Sequence, residues 1–225
     1  MSDCGSAKHA TIRVTINKRN TQEEKSMNKI LADMHTHTIA SGHAYATLTE
    51  MCKEAANKGL EIYGITEHSS GTPGTCADIY FQNLRVVPRD LFGLDLRLGA
   101  EINIIDYNGT LDLDQKYIDR LDFVIAGIHS VCYKFGSKEE NTAAIINAIK
   151  NPNVNIISHP DDGRCPLDYE ALVQAAKEYH VLLEINNNAL RDKNRKNVKE
   201  NQKLIIENCK KYNHPFIMGS DAHFT

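Results

Sequence analysis

The 225-residue sequence has no long run of charge of one sign. Its 26 Lys and Arg residues stand against 29 Asp and Glu residues, which leaves a formal net charge of −3. That balance predicts neither a broad nucleic-acid surface nor a membrane-binding face. It leaves a small anionic substrate open, because bound metal cations can dominate the local field of a site whatever the total charge of the protein.

Disulfide spacing and long apolar segments are also absent. The six cysteines lie far apart and form neither a C-x-x-C pair nor the regular framework of a disulfide-rich domain. We interpret them as reduced thiols of a cytoplasmic protein. No apolar stretch approaches the roughly 18 residues of a membrane span, and the N-terminus lacks the apolar region of a signal peptide. The sequence therefore predicts a soluble protein without a membrane partner.

Hydrophobic residues make up 41% of the chain, which suits one domain with a sizeable core. Residues 1–26 are polar and charged apart from a short alternating segment at 11–16, and a second methionine, Met27, follows them. We predict that 1–26 form a disordered N-terminal extension, either natural or left from expression, and that 27–225 form the folded domain. The alternative is that 11–16 add an edge strand to the sheet.

From Met27 onward, short apolar runs alternate with segments of helical periodicity, a pattern typical of βα units around a parallel sheet. The predicted strands cover 29–35, 61–67, 97–104, 122–129, 154–159, 181–186 and 215–220. The predicted helices cover 47–58, 139–150, 168–179 and 197–212, with capping-box sequences at 47–50 and 137–140. Residues 69–96 form either a loop over the active site or a surface excursion. Seven strands with such crossovers fit a barrel or a doubly wound sheet, and periodicity does not choose between them.

Chemically active side chains collect at the predicted C-terminal ends of these strands. Seven of the ten histidines fall there with two carboxylates, and the set is His35, His37, His43, His68, Glu101, His129, His159, Asp221 and His223. In parallel α/β folds the C-terminal strand ends converge on one rim, so residues remote in sequence should meet in one cleft. The remaining histidines, His9, His180 and His214, lie off this rim and are predicted to be structural.

The chemistry of the set matters more than its size. Imidazoles and carboxylates without thiolates suit zinc, manganese or iron rather than a structural zinc finger. His35 and His37 are two residues apart on a strand, so both can point the same way and bind one ion. A single histidine is more often an ordinary surface or core residue than a ligand. Nine such residues on one rim nevertheless predict a metal site.

The same positions closely resemble the PHP (polymerase and histidinol phosphatase) superfamily, and within it the YcdX-like phosphatases. Beyond the nine residues, whole sequence segments resemble that subfamily, namely those at 37–45, 125–129, 156–160, 183–187 and 219–223. The resemblance runs from about Met27 to the end of the chain. It implies a distorted seven-stranded (β/α)7 barrel of the TIM-like kind, with a trinuclear metal centre.

Carried over position by position, the resemblance implies one ion held by His35, His37, Glu101 and Asp221. A second would be held by Glu101, His129 and His159, and a third by His43, His68 and His223. The expected ions are divalent, with zinc first and manganese or iron(II) as alternatives. One position departs from the family, which commonly has Asp where this chain has Glu67. Because the sequence stops at Thr225, we also expect the family's usual C-terminal segment to be missing.

The implied function is a metal-dependent phosphatase that hydrolyses small phosphomonoesters, histidinol phosphate among them. The nucleophile would be a metal-bridging water or hydroxide held by His35, His37, Glu101, Asp221 and His223. A nuclease or phosphodiesterase with the same centre is the alternative, as is a non-catalytic metal-binding regulatory module. The lack of a basic stripe counts against nucleic acid, and a homo-oligomer stays open.

Four further residues near the predicted rim have candidate roles. Arg164 and Lys134 either help to hold substrate oxygens or are solvated loop charges. Asn186 and Asn187 close the sixth predicted strand, where they either orient metal ligands or simply cap the strand.

Overall fold

Seven parallel strands form a nearly closed barrel in this computed structural model, which describes residues 30–225. The strands of the sheet are β1 (Ala32–Asp33), β2 (Ile62–His68), β3 (Asp90–Leu91), β4 (Leu94–Asn103), β5 (Phe123–Gly127), β6 (Ile156–Ile157), β7 (Leu182–Asn186) and β8 (Phe216–Gly219). The helices are α1 (Leu48–Asn57), α2 (Ile79–Asn83), α3 (Gln115–Ile118), α4 (Lys138–Ile149), α5 (Tyr169–Tyr179) and α6 (Val198–Lys211). Short 3₁₀ turns lie at Ile39–Ser41, Leu84–Val86 and Asn188–Leu190.

The order of the strands decides between the two predicted architectures. The path runs β1-β2-β4-β5-β6-β7-β8 with every pairing parallel, while β3 adds a short antiparallel pairing to β4. A doubly wound sheet reverses its strand order part-way, and this one does not. Just beyond the ends of β1 and β8, Thr36 and Ala222 form a parallel bridge that joins the first strand to the last. The predicted seven-stranded barrel is therefore confirmed.

Two apolar layers hold the barrel together. Met34, Phe123, Ile125 and Ile156 pack against one another with further apolar residues of β2, β7 and β8. Because these residues come from strands all round the ring, they fill its interior. The larger cluster lies between the strands and the surrounding helices, and its fully buried members include Leu96, Leu98 and Ile102 of β4.

Close contact between the first two strands depends on Gly64. A Cβ at this position would lie 2.8 Å from the backbone carbonyl oxygen of Met34, which is closer than real Cβ atoms approach. Without that side chain, the carbonyl group of Gly64 can accept a hydrogen bond from the Thr36 hydroxyl at 2.6 Å. The segment that carries His35 and His37 is thereby held against β2.

The predicted helices match α1, α4, α5 and α6 to within two residues at each end. The main differences concern two strands, because β1 and β6 are only two residues long each. Residues 69–96 include parts of both predicted alternatives. Thr72 and Pro73 line a cavity at the C-terminal ends of the strands, while α2 and β3 lie further along the chain. The N-terminal extension and its alternative strand at 11–16 fall outside the described residues.

No helix within residues 30–225 combines the length and apolarity needed to cross a membrane. The five cysteines of the described part of the chain, Cys52, Cys76, Cys132, Cys165 and Cys209, are all free thiols. These observations agree with the reduced thiols predicted from the spacing.

Replacing Thr47 by Ala is expected to lower the free energy of unfolding by about 1 kcal/mol. The Thr47 hydroxyl accepts from the Glu50 backbone N–H, and the Glu50 side chain accepts from the Thr47 backbone in return. Without the hydroxyl the first turn of α1 loses this reciprocal cap. Urea denaturation measures the change, with the exposed Thr49 of the same helix as the control. A Thr49→Ala variant that loses as much stability as Thr47→Ala would contradict the capping role.

Candidate metal centre

The structure brings all nine predicted residues to one rim, at the C-terminal ends of the barrel strands. His35 and His37 follow β1, His68 ends β2, Glu101 lies near the end of β4, and His129, His159, Asp221 and His223 follow β5, β6 and β8. His43 lies in the loop after the first 3₁₀ turn and is the exposed member of the set. The others are buried or partly buried, so the cluster forms the floor of a cleft.

Glu101 is the centre of the cluster, and its two carboxylate oxygens face different histidine pairs. Its Oε2 lies 3.1 Å from His35 Nε2 and 3.4 Å from His37 Nε2. Its Oε1 lies 2.8 Å from His159 Nε2 and 3.2 Å from His129 Nε2. The side chain is only 1% exposed. One buried carboxylate therefore connects two sets of imidazoles.

Asp221 completes the first set from the opposite side of the barrel seam. Its Oδ1 lies 3.6 Å from His35 Nε2 and 3.4 Å from His37 Nε2. Its backbone N–H donates to the His35 carbonyl group at 2.9 Å, which ties the segment after β8 to the segment after β1. The same contact that closes the barrel thus places this carboxylate.

The third predicted set is looser than the other two. The His43 ring centroid lies 5.0 Å from that of His68 and 4.8 Å from that of His223. The ligand atoms that approach one another within 4.8 Å, however, belong to His37, His68 and His223. His68 also comes near the centre, with Nδ1 3.2 Å from Glu101 Oε2. The third set therefore adjoins the first, with His43 at its exposed side.

Hydrogen bonds around the cluster determine which imidazole nitrogen carries a proton. His35 Nδ1–H donates to Glu184 Oε1 at 2.8 Å, because a carboxylate can only accept. The Ser41 hydroxyl donates to Glu67, so the 3.0 Å contact between His37 Nδ1 and Ser41 Oγ makes His37 the donor. In both neutral imidazoles the lone pair is consequently on Nε2, the atom that faces Glu101.

The same reasoning extends to three more histidines. Asn103 donates through Nδ2 to Asp112, so its Oδ1 accepts from His129 Nδ1–H at 2.7 Å. His43 and His223 each donate Nδ1–H to a backbone carbonyl group, that of Ser41 and that of Asp221, both at 2.9 Å. Five of the seven histidines therefore carry their proton on Nδ1, which leaves the Nε2 lone pair of each neutral ring free to bind a metal ion.

The result is that acceptor nitrogens of several histidines lie close to other imidazole nitrogens. His35 Nε2 lies 3.1 Å from His37 Nε2, and His129 Nε2 lies 3.2 Å from His159 Nε2. His68 Nδ1 is buried and has no hydrogen-bond partner within residues 30–225. A tetrahedral ion with bonds of about 2.0–2.1 Å to nitrogen and oxygen keeps its ligand atoms about 3.3–3.4 Å apart. The residues present therefore fit divalent metal ions in both donor type and spacing.

Comparison with known proteins identifies the family of the chain. A family model for the PHP domain matches residues 33–214, which is most of the chain. The chain belongs to the PHP domain family. Its relatives include a "Probable phosphatase" of Caldicellulosiruptor saccharolyticus, 50% identical over 194 residues that cover 85% of this chain and 80% of that protein. A "Probable phosphatase" of Acetivibrio thermocellus is 45% identical over 197 residues, with 88% and 81% covered.

Two solved structures of low sequence identity share the fold of this PHP domain. One is histidinol phosphate phosphatase from Lactococcus lactis, complexed with zinc, L-histidinol and phosphate, with a TM-score of 0.58, 19% identity and 86% of each chain covered. The other is the histidinol phosphatase described for Listeria monocytogenes, with a TM-score of 0.61, 15% identity and 86% and 95% covered. The predictions of PHP family, of barrel fold and of a phosphatase are confirmed.

Buried charges in this PHP domain balance one another. Burial opposes ionisation of Glu101 and Asp221, but neighbouring histidines hold the pKa of both carboxyl groups well below the ordinary range. Burial also opposes protonation of His37, yet Asp221 and Glu101 raise its pKa to about 9. At His68 burial prevails and lowers the pKa to about 2. The two carboxylates thus attract positive charge. A divalent cation would supply that charge and would also accept the lone pairs of the imidazole nitrogens.

The side chains that orient the histidines are the part that sequence reasoning missed. Glu184 accepts from His35 Nδ1–H and from the His159 backbone N–H, both at 2.8 Å. Room for it depends on Gly219, where a Cβ would lie 1.9 Å from Glu184 Oε1. Glu184 and Ser41 were not predicted, and Glu67 was noted only as the position that departs from the family. The segment at 183–187 contained the signal, since its Glu lies two residues before the predicted Asn186.

The other predicted side chains differ in how they relate to the centre. Asn186 donates to Glu184 at 3.0 Å and to Asp221 at 3.3 Å, which fits the orienting role predicted for it. Asn187 and Lys134 are exposed, and neither lines the cavity beside the histidines. Arg164 does line this cavity, but its guanidinium is paired with Asp162.

Two of the histidines predicted to be structural lie away from the centre. His180 ends α5 in the left-handed conformation. His214 is buried and its Nε2 contacts the Val181 carbonyl group at 2.9 Å. His9 lies outside the described residues.

A Glu184→Gln variant is expected to bind metal about 10- to 100-fold more weakly than the unaltered protein. The carboxylate accepts from His35 and from His159 at once, whereas an amide has one acceptor oxygen and turns its NH₂ group toward one of these donors. Competition with a chromogenic chelator measures the affinity. Glu178→Gln, at an exposed position of α5, is the matched control. Equal affinities in the two variants would show that Glu184 does not orient the ligands.

Proposed function

We propose that this PHP domain hydrolyses small phosphomonoesters at a centre of three divalent metal ions. The first ion is assigned to His35, His37, Glu101 and Asp221, and the second to Glu101, His129 and His159. The third is assigned to His43, His68 and His223. Zinc is the first choice of metal, and manganese or iron(II) are alternatives that the same ligand chemistry accepts.

One observation carries the proposal. The Glu101 carboxylate presents one oxygen to each of two histidine pairs whose Nε2 atoms lie 3.1 Å and 3.2 Å apart. In the neutral pair of His35 and His37 the two lone pairs face each other and repel unless a cation lies between them. A structural zinc site is closed by four ligands, whereas a shared carboxylate and a neighbouring cavity are typical of catalytic ions.

Bound divalent ions supply the central chemistry, because they lower the pKa of water toward neutrality and neutralise charge on phosphoryl oxygens. The chain supplies the geometry that this chemistry needs. Glu184 and Asn103 keep the proton of His35 and His129 on Nδ1, so both Nε2 atoms stay available. Buried Glu67 holds Ser41, which does the same for His37.

The size and walls of the neighbouring cavity favour a small substrate. Its volume is about 380 Å³, and His68, His129 and His159 form the side nearest the proposed ions. Its lining also includes the apolar residues Ile128, Val131, Phe135, Ile145 and Leu167. A phosphate group at the histidines and a compact organic group against these apolar residues match this mixed lining. The Lactococcus lactis relative, solved with L-histidinol and phosphate, is consistent with a phosphomonoester of this size.

Hydrolysis of phosphodiesters, including nucleic acid, is the second candidate. The same ions can cleave diesters, but the near-neutral charge balance of the chain offers no basic track for a polymer. A non-catalytic metal-binding module is a weaker candidate, because curated relatives of up to 50% identity are described as phosphatases. Free cysteines support the cytoplasm as the location, and a homo-oligomer stays a prediction.

Hydrolysis of p-nitrophenyl phosphate is expected to exceed that of bis(p-nitrophenyl) phosphate and to disappear after treatment with a chelator. Added zinc or manganese should restore it, because the histidines and carboxylates hold the ions that activate water. Release of p-nitrophenol measures both reactions. Faster cleavage of the diester would favour the second candidate, and no metal-dependent cleavage of either ester would favour the binding module.

Elemental analysis is expected to find two to three transition-metal ions per chain. Glu101→Ala should lose more metal than any single histidine variant, because one carboxylate is assigned to two ions.

His43→Ala should lose about one ion and remain folded, because His43 is the exposed ligand of the third set alone. Turnover should then fall more than substrate binding. Metal counts and steady-state kinetics on the same preparations test both statements. Full metal content in the Glu101 variant would contradict the shared ligand.

A further inference from the structure

Arg195 is an arginine in the active-site cleft whose guanidinium makes no hydrogen bond to any residue within 30–225. It lies in the loop between the 3₁₀ turn Asn188–Leu190 and α6, and its side chain is 13% exposed. The nearest carboxylate oxygens belong to Asp192 at 3.6 Å and to Asp161 and Asp221 at 3.9 Å each. All three distances exceed that of a hydrogen bond. Its Nη1 is fully buried and has no partner in this part of the chain.

Such an arrangement is unusual for a largely buried guanidinium, which carries five N–H donors. Two arginines of the domain that are more exposed than Arg195 are nevertheless paired. Arg164 donates to Asp162 at 2.6 and 2.9 Å, and Arg89 donates to Asp122 and to two backbone carbonyl groups. Leaving donors unsatisfied away from water costs free energy. The unsatisfied N–H groups of Arg195 therefore need an explanation other than packing.

The position of Arg195 supplies that explanation. The residue lines the same cavity as His129 and His159, and its Nη2 is the atom that lies 3.9 Å from Asp221, a proposed ligand of the first ion. Three carboxylates around the guanidinium hold it in the cleft by charge without using its donors. No hydrogen bond has to break for it to turn toward an incoming oxyanion.

We propose that Arg195 binds the phosphoryl oxygens of the substrate together with the metal ions. The planar guanidinium matches a phosphate group because two parallel N–H donors can bind two oxygens at once. A monoester presents three non-bridging oxygens and a diester only two, so an extra cation beside the ions favours the monoester. This inference rests on the proposed function and adds to it the residue that recognises the substrate phosphate.

The test compares Arg195→Ala and Arg195→Lys with Arg191→Ala, an exposed arginine of the same loop. Three quantities are measured on metal-loaded protein: the kinetics of p-nitrophenyl phosphate hydrolysis, the inhibition constant of inorganic phosphate, and the metal content. We expect Arg195→Ala to weaken phosphate inhibition and to lower kcat/KM by about 10- to 100-fold, with metal content unchanged. Arg195→Lys should recover part of the loss, because it restores the charge but not the two-pronged geometry. Arg191→Ala should stay within about twofold of the parent.

Phosphate inhibition that is unchanged in both Arg195 variants would overturn the proposal. Loss of metal in step with loss of activity would also overturn it, because Arg195 would then act by holding Asp221 in place. Added guanidinium ion provides an independent readout, since it should restore activity to Arg195→Ala but not to Arg191→Ala. If Arg195→Ala does not fold, the lysine variant still decides, through its weaker binding of phosphate.

Failure of the proposed function is distinguishable from failure of this inference. Calorimetric titration of inorganic phosphate into the metal-loaded parent and variants needs no turnover. A parent that hydrolyses no monoester but binds phosphate through Arg195 would disprove only the activity. A parent that hydrolyses monoesters with no effect of Arg195 on phosphate binding would disprove only the role of this residue.

Discussion

The site depends on one buried carboxylate shared between two pairs of imidazoles. Glu101 is almost fully enclosed near the end of β4, where an uncompensated charge is costly. The Nε2 atoms of His35, His37 and His129 that face it carry lone pairs when these imidazoles are neutral, so they do not donate hydrogen bonds to it. Positive charge has to come from protons or from metal ions. The rest of the rim is arranged so that metal ions fit.

Barrel closure and site assembly are the same structural event. The segments after β1 and β8 meet through the Thr36–Ala222 bridge and through the hydrogen bond from Asp221 N–H to the His35 carbonyl group. Regular pairing in β6 ends at Ile157, just before His159, whose backbone turns its side chain away from the sheet path. His159 and Asp221 both have left-handed backbone angles, which cost about 1–3 kcal/mol in residues other than glycine. Hydrogen bonds from the backbone N–H groups of these two residues to Glu184 and His35 oppose that cost.

Side chains behind the proposed ligands determine which imidazole nitrogens are free to bind metal. Glu184, Asn103 and the pair Ser41 and Glu67 do not point at the proposed ions, yet they decide which nitrogen of His35, His129 and His37 is free. Such partners tune affinity as strongly as they fix orientation. Arg195 differs from all of them, because its guanidinium has no hydrogen-bond partner among residues 30–225 and lies in the cleft where an anion would bind.

The sequence by itself determined the kinds of ligand and their common rim. Its alternating pattern predicted seven strands with His35, Glu101 and Asp221 at or near their C-terminal ends. Because parallel strands point the same way, these ends lie on one rim. Tertiary structure alone decided the rest, because strand order, closure at Ala222 and the tilt of each imidazole arise from contacts between distant segments. Glu184 lies 149 residues from His35 and Glu67 lies 26 residues from Ser41, so no local spacing reveals these pairs. Arg195 could not be distinguished from a surface arginine in the sequence, since what sets it apart is a cleft position, created only by folding, in which the described part of the chain offers its guanidinium no hydrogen bond.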